Sequence, residues 1–521
     1  MSSTKFIARD CELSTSAVGA DGRPIDSWKA TRKVLAQLPA ALEQYGTSTW
    51  CRNGGSASAY SMDCLRQWTS GGQCFYSDMS HVEVCTAETS LPSTFALQNI
   101  SVIRAAEAAR RLAEEVDDEE VRITLGAANA DPVDPKISWG QHLNVSTDEK
   151  LWEDLFVNHA HPALLGYVSS AIAAGIVFFG GGYLLPFKDG SVVYSLSGRA
   201  HHLSCVHSLS TTIAFQRGIL NTRREPHAKN DRLHLIGFDF SLLSARLLAS
   251  YVQCVLAAAE EGYCGLILYE PVRALRTWSW GLDLRSGRLK GESALVDGRK
   301  MTLPVYMQEM CRQLLRMCEG GLLTADVVPE AAELLPRIIE LAEYAEEGSM
   351  QYCARHLDWA AKLMVLYGSD QPLGSPAARL ADHDFTHTNP QRSMLWRLHE
   401  QGLIDPLVSW DEAEKCLTSP PTESRAWGRG KLIERFHDEI SDVDWGEIEF
   451  RSGNGFWSPR VTIDMPCLDQ FTESDVGQAM DSAEDLSEFR RMINNRRAGM
   501  IRETDPLDDI GQQLASSNDG A

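Results

Sequence analysis

The sequence predicts an α+β fold, and three observations carry the prediction. Short alternating stretches early in the chain, among them 5–13 and 73–88, read as strands. From 300 to 420 apolar residues recur at helical spacing. Beyond Pro420-Pro421 the chain changes character, and 443–450 and 461–465 read as strands again. The expected organisation is one large domain over 1–420, a small C-terminal domain over 421–493 and a disordered, Asp-rich tail over 494–521.

The first strand, 5–13, places Phe6, Ala8, Asp10 and Glu12 on one face. Neighbouring carboxylates repel unless a cation or an arginine neutralises them. Two readings follow: a solvated edge strand, or convergence of Asp10, Glu12, Glu83 and Glu88 on a metal ion. An amphipathic helix is expected over 27–45, then a long loop over 47–70. The stretch from Gly71-Gly72 to Glu88 alternates. Cys74, Tyr76 and Asp78 point one way, a turn falls at Met79-Ser80, and His81 and Glu83 share a face. Such a surface packs poorly and suits a hard cation.

A helix over 93–116 and strands over 121–128 and 138–145 follow, with His142 and Asn144 on a common face. The uncharged run through 155–187 meets the length of a bilayer span. His159, His161, Pro162 and Gly180-Gly181-Gly182 interrupt it, so it predicts a buried helix and then a strand. A strand over 191–197 ends at Gly198-Arg199. The segment 220–235 gathers arginines, Glu225, His227 and His234 ahead of an apolar run, with Arg232 and His234 on one strand face. Arginine forks match phosphate oxygens, although a charged surface loop has the same composition. A core helix is expected over 240–262, a strand over 263–270, and helices over 304–319, 329–346 and 350–367. Ser409-Trp410-Asp411-Glu412 has the pattern of a capping box.

Composition narrows the function. The chain has 521 residues, 44% hydrophobic and 23% charged, as soluble globular proteins do. A net charge of -22 argues against a nucleic-acid binder, while a few local arginines suffice for a phosphate site. The 13 cysteines lack paired C-x₂-C knuckles and read as reduced thiols of a cytoplasmic protein, not as a disulfide framework. The N-terminus shows no signal-peptide pattern. No P-loop, dinucleotide fingerprint, H-E-x-x-H or G-x-S-x-G motif occurs.

Several short motifs, in order, carry a resemblance. They are Tyr76-x-Asp78, His81-x-Glu83, Thr86-x-Glu88, Ser197-x-Arg199-Ala200 and Asn221-Thr222-Arg223-x-Glu225-Pro226-His227 with Arg232-Leu233-His234. Pro271-Val272-Arg273, Asp358-Trp359-Ala360-Ala361-Lys362-Leu363 and Pro420-Pro421-Thr422-x-Ser424-Arg425 continue the series. The chain resembles the Pup–protein ligase and Pup deamidase/depupylase family. The resemblance implies a glutamine-synthetase-like curved antiparallel sheet with packed helices and a small C-terminal domain over the nucleotide.

It also implies ATP and Mg²⁺ as cofactors, and as partners a small ubiquitin-like protein (Pup or an analogue) and lysine-bearing target proteins, with no nucleic acid and no membrane. By position, the resemblance makes Asp78 the catalytic aspartate. Asp10, Tyr76, Glu83 and His234 would hold metal, His234 with Glu225. Thr86, Arg199, Arg223 and Trp445 would touch the nucleotide, Trp445 from a C-terminal strand. The chain departs from the family pattern in its first strand (Ala8-Arg9-Asp10-Cys11-Glu12 for Gly-x-Glu-x-Glu), at Cys74 for an arginine, Leu143 for a carboxylate and Arg224 for an aspartate, and in a segment between Asp78 and Glu83 that is one residue shorter. The implied activity is ATP-dependent carboxylate–amine ligation through an acyl phosphate. An amidase or isopeptidase using the same site, and a catalytically silent binding homologue, are the alternatives.

Overall fold

In the computed structural model, residues 3–51, 66–116, 120–158, 161–224, 230–369, 371–451, 460–494 and 501–504 are described. The strands of the first half, in chain order, are β1 (Ile7–Val18), β2 (Pro24–Ile25), β3 (Thr49–Cys51), β4 (Gln67–Thr69), β5 (Cys74–Asp78), β6 (His81–Cys85) and β7 (Arg122–Gly126). They continue as β8 (Gln141–Asp148), β9 (Tyr183–Pro186), β10 (Val192–Ser195), β11 (Cys205–Ser208), β12 (Gly218–Asn221) and β13 (Asn230–Leu235). The large sheet runs β11-β12-β13-β8-β1-β6-β5-β4-β3, with β2 and β7 also pairing β1. Its pairs are antiparallel except β11 with β12.

β1 is therefore a central strand, which removes the edge-strand reading of Asp10 and Glu12. Alternation sorts the two faces. Cys11, Leu13, Phe75, Val82, Val84, Leu143, Val145, Leu233 and Leu235 point into the hydrophobic core. Helices Ser27–Glu43, Pro92–Glu115 and Ala245–Glu260 cover that side. Burying each such aliphatic side chain contributes about 1.5–3 kcal/mol. The other face carries the polar residues.

The uncharged run is the buried helix Pro162–Phe178 followed by β9, and no described helix is long and apolar enough to cross a membrane. Asp358 caps the approach to helix Ala245–Glu260, accepting the N–H groups of Leu242, Leu243 and Ser244 at 3.1, 3.3 and 3.0 Å. Trp359 Nε1 donates to Phe178 O at 3.0 Å, and Lys362 Nζ to Gly182 O at 2.8 Å. The motif at 358–363 thus holds helices together.

Several expectations are revised, and β3 and β4 lie within the expected loop over 47–70. Residues 263–270 form no strand, only an isolated bridge from Leu268 to Leu295. Residues 410–417 form a 3₁₀ helix whose Ser409 side chain makes no capping bond. The stretch 350–367 breaks into helices Met350–Cys353 and Asp358–Gly368.

The C-terminal unit comprises helix Arg425–Phe436, strands Ile440–Val443, Glu447–Arg451, Arg460–Asp464 and Ile501–Thr504, and helices Glu473–Ser482 and Leu486–Asn494. Its core is shared with the β3–β5 end of the sheet, because Trp50, Trp68, Cys74 and Cys85 pack in one cluster with Ile433, Ile448 and Phe450. Ile501–Thr504 pairs with Arg460–Asp464, inside the stretch expected to be disordered. The remainder of that tail, and 52–65 of the expected long loop, lie outside the described residues.

The Gly71-Gly72 turn that leads into β5 is a packing requirement. A Cβ on Gly71 would lie 2.4 Å from Cys416 O, and Gly72 has φ +82.

Candidate active site

Register places the polar face residue by residue. Glu83 on β6 lies directly opposite Glu12 on β1 and Tyr76 on β5. Asp78 and His81 close the β5–β6 hairpin, whose turn residues Met79 and Ser80 both have positive φ (44 and 73). That left-handed pair lacks the usual glycine, so the hairpin holds Asp78 through a strained turn.

Oxygen atoms of Glu12, Asp78 and Glu83 lie within 4.8 Å of one another. Burial, with the charges of Asp10, Glu12 and Asp78, pushes Glu83 well above the usual carboxylate range against a hydrogen bond from Tyr76. Glu12 is raised as well, by burial and Asp78, while the Gly140 N–H, Arg199 and Arg217 oppose the rise. Glu83 Oε2 is buried without a donor. Clustered carboxylates with an orphaned buried oxygen fit a hard divalent cation.

This group shares Glu12 and Glu83 with the four carboxylates read from the strands (Asp10, Glu12, Glu83 and Glu88), and shares only Glu83 with the metal set that the resemblance implies (Asp10, Tyr76, Glu83 and His234). Asp10 lies one row away, opposite Cys85 and His142, and its Oδ2 accepts from Asn144 Nδ2 at 2.8 Å. Tyr76 stays beside Glu83, its ring under the Arg66 guanidinium at 5.3 Å. His234 sits on β13, three strand spacings (roughly 14 Å) from β6. It packs on His142 with ring centroids 4.7 Å apart, and does not join the carboxylates. Its proposed companion Glu225 lies outside the described residues.

Burial and the Arg199, Arg232 and Arg217 charges hold His142 down to about 3. Burial, His142, Arg232 and Arg223 hold His234 well below its ordinary value. Both are therefore neutral near pH 7, and His234 Nε2 is buried without a partner. Arg223 is exposed beside His234.

Glu88 stands apart from the group of Glu12, Asp78 and Glu83. Arg425 Nε donates to its Oε1 at 3.0 Å, and Arg429 forks onto both of its oxygens. Burial alone would raise Glu88, but the Arg429 and Arg425 charges bring it to about 2. Arg429 in turn lies between the Trp68 and Trp445 rings, at 5.1 and 5.0 Å.

Trp445 occupies the turn between two C-terminal strands, not a strand, because Asp444 and Gly446 bend the chain there. It lines a cleft together with Ala8, Asp10, Asn144, Arg232 and Arg425. The cleft thus lies between the polar sheet face and the C-terminal unit. An aromatic wall, an arginine and the unsatisfied buried Asn144 Oδ1 suit a nucleotide. Thr86 points elsewhere: it is buried, and its hydroxyl accepts from Arg9 N at 2.9 Å.

Arg199 is buried at the far end of the face from Trp445. It donates to Ser138 Oγ at 3.0 Å, Trp139 O at 3.1 Å and Ile236 O at 2.9 Å. Burial and the neighbouring Arg217 lower it to about 10 against the pull of Glu12 and Asp239.

The departures from the family pattern have structural consequences. Cys74 and Leu143 are core residues, and Arg224 pairs with Asp231 and Glu149 at 2.9 Å. Sequence reasoning missed Arg217 and Arg66. Both lie beside loops, where no periodicity marks a direction.

Gly140 sits against the carboxylates. Its N–H donates to Glu12 Oε2 at 2.7 Å, and an added Cβ would lie 2.8 Å from both Glu12 Oε1 and His142 Nε2. Gly140→Ala therefore pushes Glu12 out of the group. Divalent-metal affinity is expected to fall about tenfold with the melting temperature little changed, read by calorimetric titration with Mn²⁺ or Mg²⁺ and by thermal denaturation.

The chain aligns with known proteins over much of this framework. It is 29% identical to the Pup deamidase/depupylase of Mycolicibacterium smegmatis over 58% of this chain and 60% of that protein. It is 29% identical to the Depupylase of Acidothermus cellulolyticus over 73% and 74%, and 28% identical to the Pup–protein ligase of Nocardioides sp. over 49% and 57%. The chain thus spans about 60% of the length of the first of these relatives. The crystal structure of the complex between Pup and its ligase PafA superimposes with a TM-score of 0.71 at 18% identity, covering 95% of this chain and 96% of that one. The PafA structure in complex with ADP gives 0.67 at 20% identity, over 81% and 90%. These two show at the level of fold that the α+β architecture is that of PafA. The sequence pattern of the Pup-ligase protein family matches residues 52–449, and the chain belongs to that family.

Proposed function

We propose that this protein is an ATP- and Mg²⁺-dependent carboxylate–amine ligase. It would join a carboxylate of Pup, or of a similar small protein, to a lysine amine of a target protein in the cytoplasm. The observation that carries the reading is the convergence of Glu12, Asp78 and Glu83 from three neighbouring strands, between the Trp445 cleft and the buried Arg199.

Glu12 and Glu83, with Tyr76 and Asp10 beside them, would hold Mg²⁺. The bound ion would neutralise charge on the transferring phosphoryl group. Trp445 and Arg425 would wall the base end of the nucleotide, and Asn144, Arg232, Arg223 and His234 would face its phosphates. A substrate carboxylate oxygen attacks the γ-phosphorus, the bond to the bridging oxygen breaks, and ADP and an acyl phosphate form. The lysine amine then attacks the acyl carbon, phosphate leaves, and Asp78 takes the amine's proton. Arg199 stabilises negative charge in both steps from a site that excludes water. Thr86 would act through Arg9, fixing β1 against β6, in place of a direct nucleotide contact.

The test is incubation with Pup, a lysine-bearing acceptor and Mg-ATP, read by mass. A conjugate equal to the sum of the two less one water, formed only with ATP, supports the reading. Absence of any conjugate with acceptors that the Pup ligases modify would refute it.

The hydrolytic reading has its own support: the depupylase of Acidothermus aligns over a larger share of this chain than the ligase of Nocardioides does. There Asp78 would activate water or attack the amide, with the nucleotide bound as a cofactor.

Glu83 must lose its proton to bind a cation. Its raised pKa makes Mg²⁺ or Mn²⁺ binding release a proton, and affinity is expected to rise as pH rises toward that raised value. Calorimetry at several pH values, in buffers of different ionisation enthalpy, measures both effects. Affinity independent of pH between 5 and 8 (roughly the working range) would count against Glu83 as a ligand.

A further inference from the structure

The Trp445 cleft ends at Asp10, yet the polar face continues past Glu12 to two guanidinium groups. Arg199 Nη1 and Arg217 Nη1 both donate to Ser138 Oγ, at 3.0 and 2.9 Å. Arg217 also donates to Thr211 O at 2.8 Å and Thr212 O at 3.3 Å, so its contacts are to neutral oxygens. The carboxylate both arginines sense is Glu12, whose Oε2 is engaged by the Gly140 N–H. Arg199 is 1% exposed, and its Nε has no partner.

Two like charges brought to one hydroxyl, one of them fully buried, repel. The arrangement is relieved by an anion that bridges them. The loop Ser138–Trp139–Gly140 links the pair to the metal group directly: Trp139 O accepts from Arg199, and Gly140 N holds Glu12.

The position selects the anion. Phosphoryl transfer requires the attacking oxygen and the leaving oxygen on opposite sides of the transferred group. The nucleotide cleft lies on the Asp10 side of Glu12 and the arginine pair on the other. We infer that Arg199 and Arg217, aligned by Ser138, form the receptor for the carboxylate of the acyl substrate, so that Arg217 is a substrate-binding residue. The inference rests on the ligase reading for its direction. It applies equally to a carboxyl product of amide hydrolysis in the same site.

The experiment measures binding of two fluorescent peptides, without nucleotide. One is the C-terminal segment of Pup with free carboxylates, and the other is the same peptide with its terminal carboxyl groups converted to carboxamides. Wild-type protein is expected to prefer the carboxylate form by about tenfold or more. Arg217→Ala abolishes the preference while Mg-ATP affinity, measured separately, stays within about twofold. Arg217→Lys retains part of the preference, because charge remains and the fork is lost.

Arg217→Ala that keeps the carboxylate preference, or that instead weakens Mg-ATP by about tenfold, overturns the assignment. So does a wild-type protein that binds both peptides equally. Wild-type protein that binds no Mg-ATP but discriminates the peptides would remove the ligase reading and leave the carboxylate receptor standing. Circular dichroism and the melting temperature of Arg217→Ala establish that the variant is folded, and Ser138→Ala, which removes the shared hydroxyl, is expected to lower the preference in the same direction.

Discussion

On the proposed ligase reading, Asp78→Asn is expected to lower amide formation about a thousandfold, a loss of about 4 kcal/mol in transition-state stabilisation. Mg-ATP affinity stays within a few-fold, since the amide keeps an oxygen at the cluster. The expectation follows from position. Asp78 ends β5 at a strained turn, within 4.8 Å of the Glu12 and Glu83 oxygens but nearer solvent than Glu83. Glu83→Gln is expected to behave differently, weakening metal affinity and rate together. Single-turnover conjugate formation and calorimetric titration separate the two patterns. An Asn variant within tenfold of wild type would remove Asp78 as the proton acceptor, because general-base groups are worth roughly a hundredfold or more.

Glu88→Ala destabilises the protein by about 3–5 kcal/mol, because it leaves Arg425 and Arg429 buried without a counter-charge. The effect reaches the site. Glu88 follows β6 in the sheet, while its arginines belong to helix Arg425–Phe436. Arg429 also donates to Trp445 O at 2.7 Å and Gly72 O at 3.0 Å. The variant is therefore expected to loosen the C-terminal unit from the sheet and to weaken nucleotide binding along with stability. Chemical denaturation and limited proteolysis at 421–494 read the first effect, and Mg-ATP titration reads the second.

The same ion cluster sets an acid limit. Glu88 sits at about 2 in the folded protein, against an ordinary value near 4.5. Its contribution is complete above the ordinary value and is lost as pH falls through about 2; the shift corresponds to stability on the order of 3 kcal/mol. A denaturation midpoint unchanged between pH 5 and pH 3 (roughly the upper part of that window) in wild type, while Glu88→Ala shows the same pH profile, would deny Glu88 this role.

Alternation made the polar face legible. Asp10 and Glu12, Tyr76 and Asp78, His81 and Glu83, and Arg232 and His234 fall on the side that strand geometry assigns them. Which of the candidate residues stand together in the carboxylate group was only partly legible, because it depends on which strands are neighbours and in what register. Glu12 enters because it lies opposite Glu83, and His234 is left out because β8 and β1 stand between β13 and β6.

Glu88 carries the same charge as Glu83, and only the arrival of Arg425 and Arg429, more than 330 residues later, separates their roles. Trp445 was read into a strand because its apolar neighbours alternate, yet the chain turns at that point. The apolar run Leu266-Ile267-Leu268-Tyr269 misled in a similar way: beyond the Leu268 bridge it has no partner, and no ladder forms. The motif at 358–363, one of those that carry the resemblance, serves packing through Asp358, Trp359 and Lys362.

The most direct measurement is the stoichiometry of nucleotide and amide. With Pup, a lysine-bearing acceptor and Mg-ATP, ADP and new amide are counted in the same reaction. A ligase yields one ADP for each amide formed, and no amide without ATP. Cleavage of a preformed Pup–lysine amide with no net ATP consumption, and no amide synthesis, would contradict the account.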